Sequence, residues 1–203
     1  MSIDHDSNMN REEGKENNKI SFRGLTRVLI EDIRFYCGTQ EIRLRVLMNH
    51  LFFDPSLQLV LLYRWSHFSY LKGWRGMAVA IEWLENVLFG CLIAFQAEIG
   101  KHFRIAHPIG IVIGLAKIGD NVAIWQNVTI GAKGRVGEKK SWPVIDDNVR
   151  IFASAVVAGG IRIGEGSTIG ALAFINRDVP PHSLALTERT IYKPAGENEE
   201  DER

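Results

Sequence analysis

Few side chains in this sequence carry chemistry, and one histidine leads them. His107 opens a turn, His-Pro-Ile-Gly, two residues after a β-branched Ile105. Imidazole is the side chain whose protonation equilibrium lies nearest physiological pH, so a turn histidine with an exposed ring suits proton abstraction from a hydroxyl. The residues alone also leave open a corner histidine that merely bonds to backbone. His102 and His182 lie in turns too and have weaker claims. No trio of His, Cys or carboxylate residues has metal-ligand spacing, so no metal is expected. Cys37 and Cys91 have neither CxxC spacing nor the density of a disulfide framework. They read as free thiols of a reducing, cytoplasmic compartment.

A pattern of six positions this histidine. Ile93, Ile99 and Ile105 recur at six, and one extra residue leads to Val112, followed by Ile118, Ile124 and Ile130 at six. After an interruption, Gly131–Val144, the period returns as Ile145, Ile151, Val157, Ile163, Ile169 and Ile175. Neither an amphipathic helix (3.6) nor an alternating strand (2) has this period. It predicts a parallel β-helix in which three hexads close one coil and each aliphatic side chain points inward. A β-sandwich of short strands is the ordinary alternative, but it imposes no six-residue register. Ile105, Ile124, Ile151 and Ile169 then share one wall. Ile93, Val112, Ile130, Val157 and Ile175 share the second, and Ile99, Ile118, Ile145 and Ile163 the third. Val122, Val128, Val149, Ala155, Ile161 and Ser167 suit the corners. Gly119-Asp120-Asn121 and Gly164-Glu165-Gly166 supply turns.

Four segments follow from these changes of pattern: a polar, disordered lead-in at 1–19, a helical region at 20–91, the solenoid at 92–180 and a tail at 181–203. In the helical region Leu57, Val60, Leu61 and Arg64 fall on one helical face. Ala78, Ile81, Leu84 and Leu88, with the nearby Trp83, mark another helix. Asp54-Pro55 is a helix start, with the carboxylate free to cap amides and proline in the first turn. Lys+Arg and Asp+Glu are each 24, so no overall charge points to nucleic acid. The apolar stretch Met77–Phe95 contains Glu82, Glu85 and Asn86, unlike the roughly 20 apolar residues of a spanning helix. With His50–Trp65 it is apolar enough for a weak membrane-surface association. Glu197–Arg203 reads as an acidic, disordered end.

His107–Gly134 (HPIGIVIGLAKIGDNVAIWQNVTIGAKG) resembles the serine acetyltransferase branch of the hexapeptide-repeat acyltransferases, and Ile163–Ala185 resembles its closing coil. Tyr63–Phe68 (YRWSHF) is similar to its helical lead-in, so the resemblance runs from about Phe53 to Pro194. Short members of this branch include enzymes that acetylate sugars in surface-polysaccharide synthesis. The resemblance implies a left-handed parallel β-helix with a mostly helical N-terminal region. It also implies a homotrimer with CoA between subunits, acetyl-CoA as donor and a small-molecule hydroxyl as acceptor. His107 matches the family's general base. Gly131 and Ala132 match its double glycine, and Gly170 and Ala171 lie on the closing coil, where small residues let the pantetheine arm approach backbone amides. Arg189 and Lys193 match basic positions that meet CoA phosphates, although GVPARI is here Ala185–Thr190. A solvated basic tail is the alternative for this pair.

Two positions depart from the family. The aspartate that orients the base is Leu92, and the second histidine, of an HPKI-like segment, is Trp142. Glu98 or a backbone carbonyl is a possible substitute for the aspartate. With Gln126 one coil above His107, Trp142 reads as an aromatic acceptor wall, while Trp125 packs outward against a neighbouring subunit. Lys133, Arg135, Lys139 and Lys140 make the long loop basic, suited to CoA phosphates or simply to solvent. The expectation is an acetyl-CoA-dependent O-acetyltransferase acting on a saccharide in surface-polysaccharide synthesis. Serine O-acetylation and a non-catalytic trimeric solenoid are the alternatives.

Overall fold

The computed structural model describes residues 21–38, 43–133 and 141–187. Four helices come first: α1 (Phe22–Cys37), α2 (Leu44–Phe53), α3 (Pro55–Leu71) and α4 (Arg75–Phe89). Asp54 starts α3, with Oδ1 accepting from the amides of Ser56 (3.0 Å) and Leu57 (3.2 Å) and Pro55 in the first turn. Leu57, Val60 and Arg64 are buried as their spacing predicts, whereas of the α4 set only Ala78 is buried and Leu88 and Trp83 face outward. No helix among the described residues is long and apolar enough to cross a membrane.

The remainder is a left-handed parallel β-helix. Fourteen short strands among the described residues, β1 (Leu92–Ile93) to β14 (Leu184–Ala185), stack into three parallel sheets. Sheet A takes β1-β4-β7-β10-β13, sheet B takes β2-β5-β8-β11, and sheet C takes β3-β6-β9-β12-β14. Strand β14 extends sheet C beyond residue 180, the expected end of the solenoid. The preference for right-handed crossovers arises where a long twisted strand feeds a helix. Strands of two or three residues joined by tight corners escape that constraint.

One residue per strand points inward, and these aliphatics stack in columns at 0–9 % exposure through most of the solenoid. The expected walls B and C hold in full: Ile99↔Ile118↔Ile145↔Ile163 and Ile105↔Ile124↔Ile151↔Ile169 are in register. Wall A needs one correction. Ile93 pairs with Ile113, not Val112; Ile113 is fully buried and Val112 is 42 % exposed. The run Ile-Val-Ile offers two phases of equal hydrophobicity, and the corner before it holds more residues than the period suggests. All six expected corner residues are buried.

The helices close the first coil. Strands β1, β2 and β3 lie at the ends of their sheets, where backbone groups would lack partners. Tyr36 Oη accepts from Ile105 N (2.9 Å) and donates to Phe103 O (3.3 Å). Tyr63 Oη donates to Ala97 O (2.7 Å), His67 Nδ1 to Phe95 O (2.8 Å), and Glu82 Oε2 accepts from Phe95 N (3.1 Å). Arg64 donates to Ile99 O (2.6 Å), to Gly100 O (2.5 Å) and to Asp32 Oδ2 (2.9 Å), while Asp32 Oδ1 takes His102 N (3.2 Å). That buried ion pair ties α1 and α3 to the coil. The helical region is therefore the polar lid of an otherwise apolar stack.

Candidate active site

His107 stands at the corner between sheets C and A. Eight residues separate inward Ile105 from inward Ile113 where six is the rule, so this corner bulges. The bulge is shaped by Gly110 at φ 65° and by an Ile109 N to His107 O bond of 2.9 Å. A Cβ on Gly110 would also meet the Asn127 side chain, so both backbone and space favour glycine there. The imidazole is exposed, and no hydrogen bond reaches its ring from the described residues.

The ring borders a cleft of about 570 Å³ on the outer face of sheet C. Its floor is Arg104, Ala123 and Arg150, the outward residues of β3, β6 and β9, in register with one another. One wall is Phe35 and Tyr36 of α1 with Asp54 and Ser56 at the start of α3; Trp125 forms the other. Trp125 stacks on Phe152, centroids 4.3 Å apart. Burial pushes the Tyr36 phenol well above its ordinary range, so it stays a neutral hydrogen-bonding wall.

The sequence-derived candidates divide. Gln126 lies one coil above His107, as the Ile105↔Ile124 register requires, but does not line the cleft; its Oε1 is buried without a partner among the described residues. Trp142 sits at a different corner, its ring over Gly114, where a Cβ would collide with it. Within the chain's own cleft the aromatic wall is Trp125, and Trp142 lies outside it. Leu92 is an outward residue of β1 paired with Val112 and offers no carboxylate. Glu98, the possible substitute, is held by Lys117 at 3.1 Å and borders a second groove on sheet B with His67. Burial holds His67 below the ordinary imidazole value. His102 is occupied with Asn121 Oδ1 (2.9 Å) and stacks on Phe35, and the His182 ring fills the space left by Gly166.

Gly131 ends β7 with open space where a side chain would project, and Ala132 follows it. Gly170 is different: the exposed Leu186 side chain of the closing coil leans into the room its missing side chain leaves, so packing gives a second account of the small residue there. Ala171 beside it is exposed. Arg189 and Lys193, the basic tail pair, lie outside the described residues, as do Arg135, Lys139 and Lys140 of the long loop. Among the described residues no group of three His, Cys, Asp or Glu side chains can hold a metal ion. The arginine floor was missed in the sequence. The available signal was that Arg104 and Arg150 each precede an inward isoleucine of the same wall.

Three coupled sheets of short parallel strands with one inward aliphatic per hexad define a hexapeptide-repeat transferase scaffold. The family model described as bacterial transferase hexapeptide (six repeats) matches residues 143–177. Serine acetyltransferase of Mycobacterium tuberculosis is 39% identical over 137 residues, covering 67% of this chain and 59% of that protein. The structure of soybean serine acetyltransferase complexed with serine has a TM-score of 0.71 and 31% identity, over 81% of this chain and 67% of that one. Serine acetyltransferase isoform 3 of Entamoeba histolytica, in complex with cysteine, has a TM-score of 0.73 and 28% identity, over 85% of this chain and 61% of that one. The chain belongs to the serine acetyltransferase branch of the hexapeptide-repeat acyltransferases. It spans about three fifths of the length of the curated relatives it matches.

Proposed function

We propose that the chain is an acetyl-CoA-dependent O-acetyltransferase in which His107 is the general base and L-serine is the first acceptor to consider. The observation that carries this reading is His107 itself: an exposed imidazole on a bulged corner of a rigid scaffold, facing a cleft whose one carboxylate among the described residues, Asp54, caps α3. The acceptor hydroxyl gives its proton to the ring as its oxygen attacks the thioester carbon. The tetrahedral oxyanion then collapses, the C–S bond breaks, and the imidazolium returns the proton to the departing thiolate. Such a base contributes roughly 10²–10⁴-fold.

The relatives named for serine favour that acceptor over a saccharide. Support for a sugar came from Trp142, which stands over Gly114 and outside the cleft of its own chain. Among the described residues nothing partners the His107 ring, and an orienting group supplied by the acceptor or by another subunit fits there. A homotrimer with CoA held between solenoids meets that need, with Gly131 and Ala132 offering close approach to backbone. The test follows CoA thiol release with L-serine, a sugar panel and nucleotide-sugars under matched conditions. Serine-dependent release that His107→Ala abolishes supports the reading. Unchanged turnover in that variant refutes it.

A further inference from the structure

The floor of the His107 cleft carries more positive charge than proton transfer needs. Arg104 and Arg150 project from β3 and β9 with Ala123 of β6 between them, all outward from the same sheet. Two strand spacings separate the arginines, roughly 9–10 Å at the backbone. Ala123 is too small to fill the gap. Neither guanidinium makes an ion pair or a side-chain hydrogen bond among the described residues. Arg162 provides the contrast: at the equivalent position of sheet B it is bound to Asp146 at 2.8 Å. Among the described residues Asp54 is the single carboxylate of the cleft, and two amides already hold its Oδ1. The half-buried Tyr36 phenol, its pKa raised by desolvation, adds no charge.

We propose that Arg104 and Arg150 form an oxyanion clamp, which makes them specificity-determining residues: the acceptor must carry a carboxylate or phosphate besides the hydroxyl it presents to His107. This rests on the reading of His107 as the base. Guanidinium offers paired donors in a planar fork that matches both oxyanions, and two long side chains flanking one alanine on a shared cleft floor can reach a single group from both sides. Trp125, backed by its stacking on Phe152, forms the flank along which the apolar part of the acceptor lies. L-serine meets the requirement through its carboxylate. Uronic acids and phosphorylated hydroxy compounds meet it too, and neutral sugars do not.

The test compares matched acceptors with and without the anion, using CoA thiol release by the full chain: L-serine against serinol, galacturonate against galactose, and glucose 6-phosphate against glucose. The anionic member of at least one pair is expected to lead about tenfold or more in kcat/KM, as charged hydrogen bonds require. The pair that responds separates carboxylate from phosphate. Arg104→Met and Arg150→Met should each raise the KM for that acceptor about tenfold or more and leave the KM for acetyl-CoA unchanged. Equal turnover within every pair, or variants that keep the wild-type acceptor KM, overturns the clamp. A second readout does not depend on transfer. Inorganic phosphate should raise the unfolding midpoint of the wild type and not of the double variant, whose exposed substitutions leave the core intact. If no acceptor is acetylated, the transfer reading fails while this titration still decides the clamp: equal response, or none, refutes it.

Discussion

Glu85→Gln tests the packing of helix against solenoid through a single proton. Glu85 lies on α4 at 0% exposure, and neither carboxyl oxygen has a hydrogen-bond partner among the described residues. Burial, reinforced by the charge of Glu82, pushes its pKa from 4.5 up to about 9. The folded protein therefore keeps a proton that the unfolded chain releases near 4.5. Stability is greatest below that value and falls as pH rises toward about 9. Between about pH 5.5 and about pH 8 the loss is about 1.4 kcal/mol per unit, or about 3 kcal/mol in all. Glutamine keeps the shape and removes the titration. The assay is urea unfolding of both proteins across this range at one protomer concentration, since association would add its own term. Other titrating groups act alike in both proteins and cancel in the difference. The stability of Glu85→Gln relative to wild type should climb by about 3 kcal/mol over the window. Curves that run parallel refute the reasoning, because they would mean that Glu85 is ionised in the folded state or reached by water.

His107→Ala should lower transfer by roughly 10²–10⁴-fold while unfolding is unchanged, because the exposed ring makes no hydrogen bond among the described residues; kinetics and denaturation together check this. Arg64→Ala leaves Asp32 as an unpaired buried charge and strips donors from Ile99 O and Gly100 O. A loss of about 3–5 kcal/mol is expected by urea titration. Ile113→Ala should cost about 2–5 kcal/mol by opening the core. Val112→Ala should stay within about 0.5 kcal/mol, as outward positions do; equal losses would overturn the corrected phase. Substituting Trp142 should change acceptor preference more than acetyl-CoA binding if a neighbouring subunit brings it to the site, whereas equal loss of both points to its packing on Gly114.

The solenoid was legible because its rule is local. A side chain that must face inward every sixth residue leaves the same residue type at each return, and the strands follow that register from Ile93 to Ile175. The rule failed only at Ile111-Val112-Ile113, where adjacent β-branched residues satisfy it equally and only closure of the coil chooses between them. His107 was legible too, as a titratable residue on a turn. Tertiary structure alone decided its surroundings. Asp32 meets Arg64 and Tyr36 meets Ile105 across long stretches of chain, contacts that no period records. Arg104 and Arg150 share a cleft because sheet C stacks their strands, and Trp142 leaves that cleft because it sits at another corner. Glu85 is an ordinary glutamate in the sequence; its proton is held by the desolvation that packing α4 against the first coil imposes.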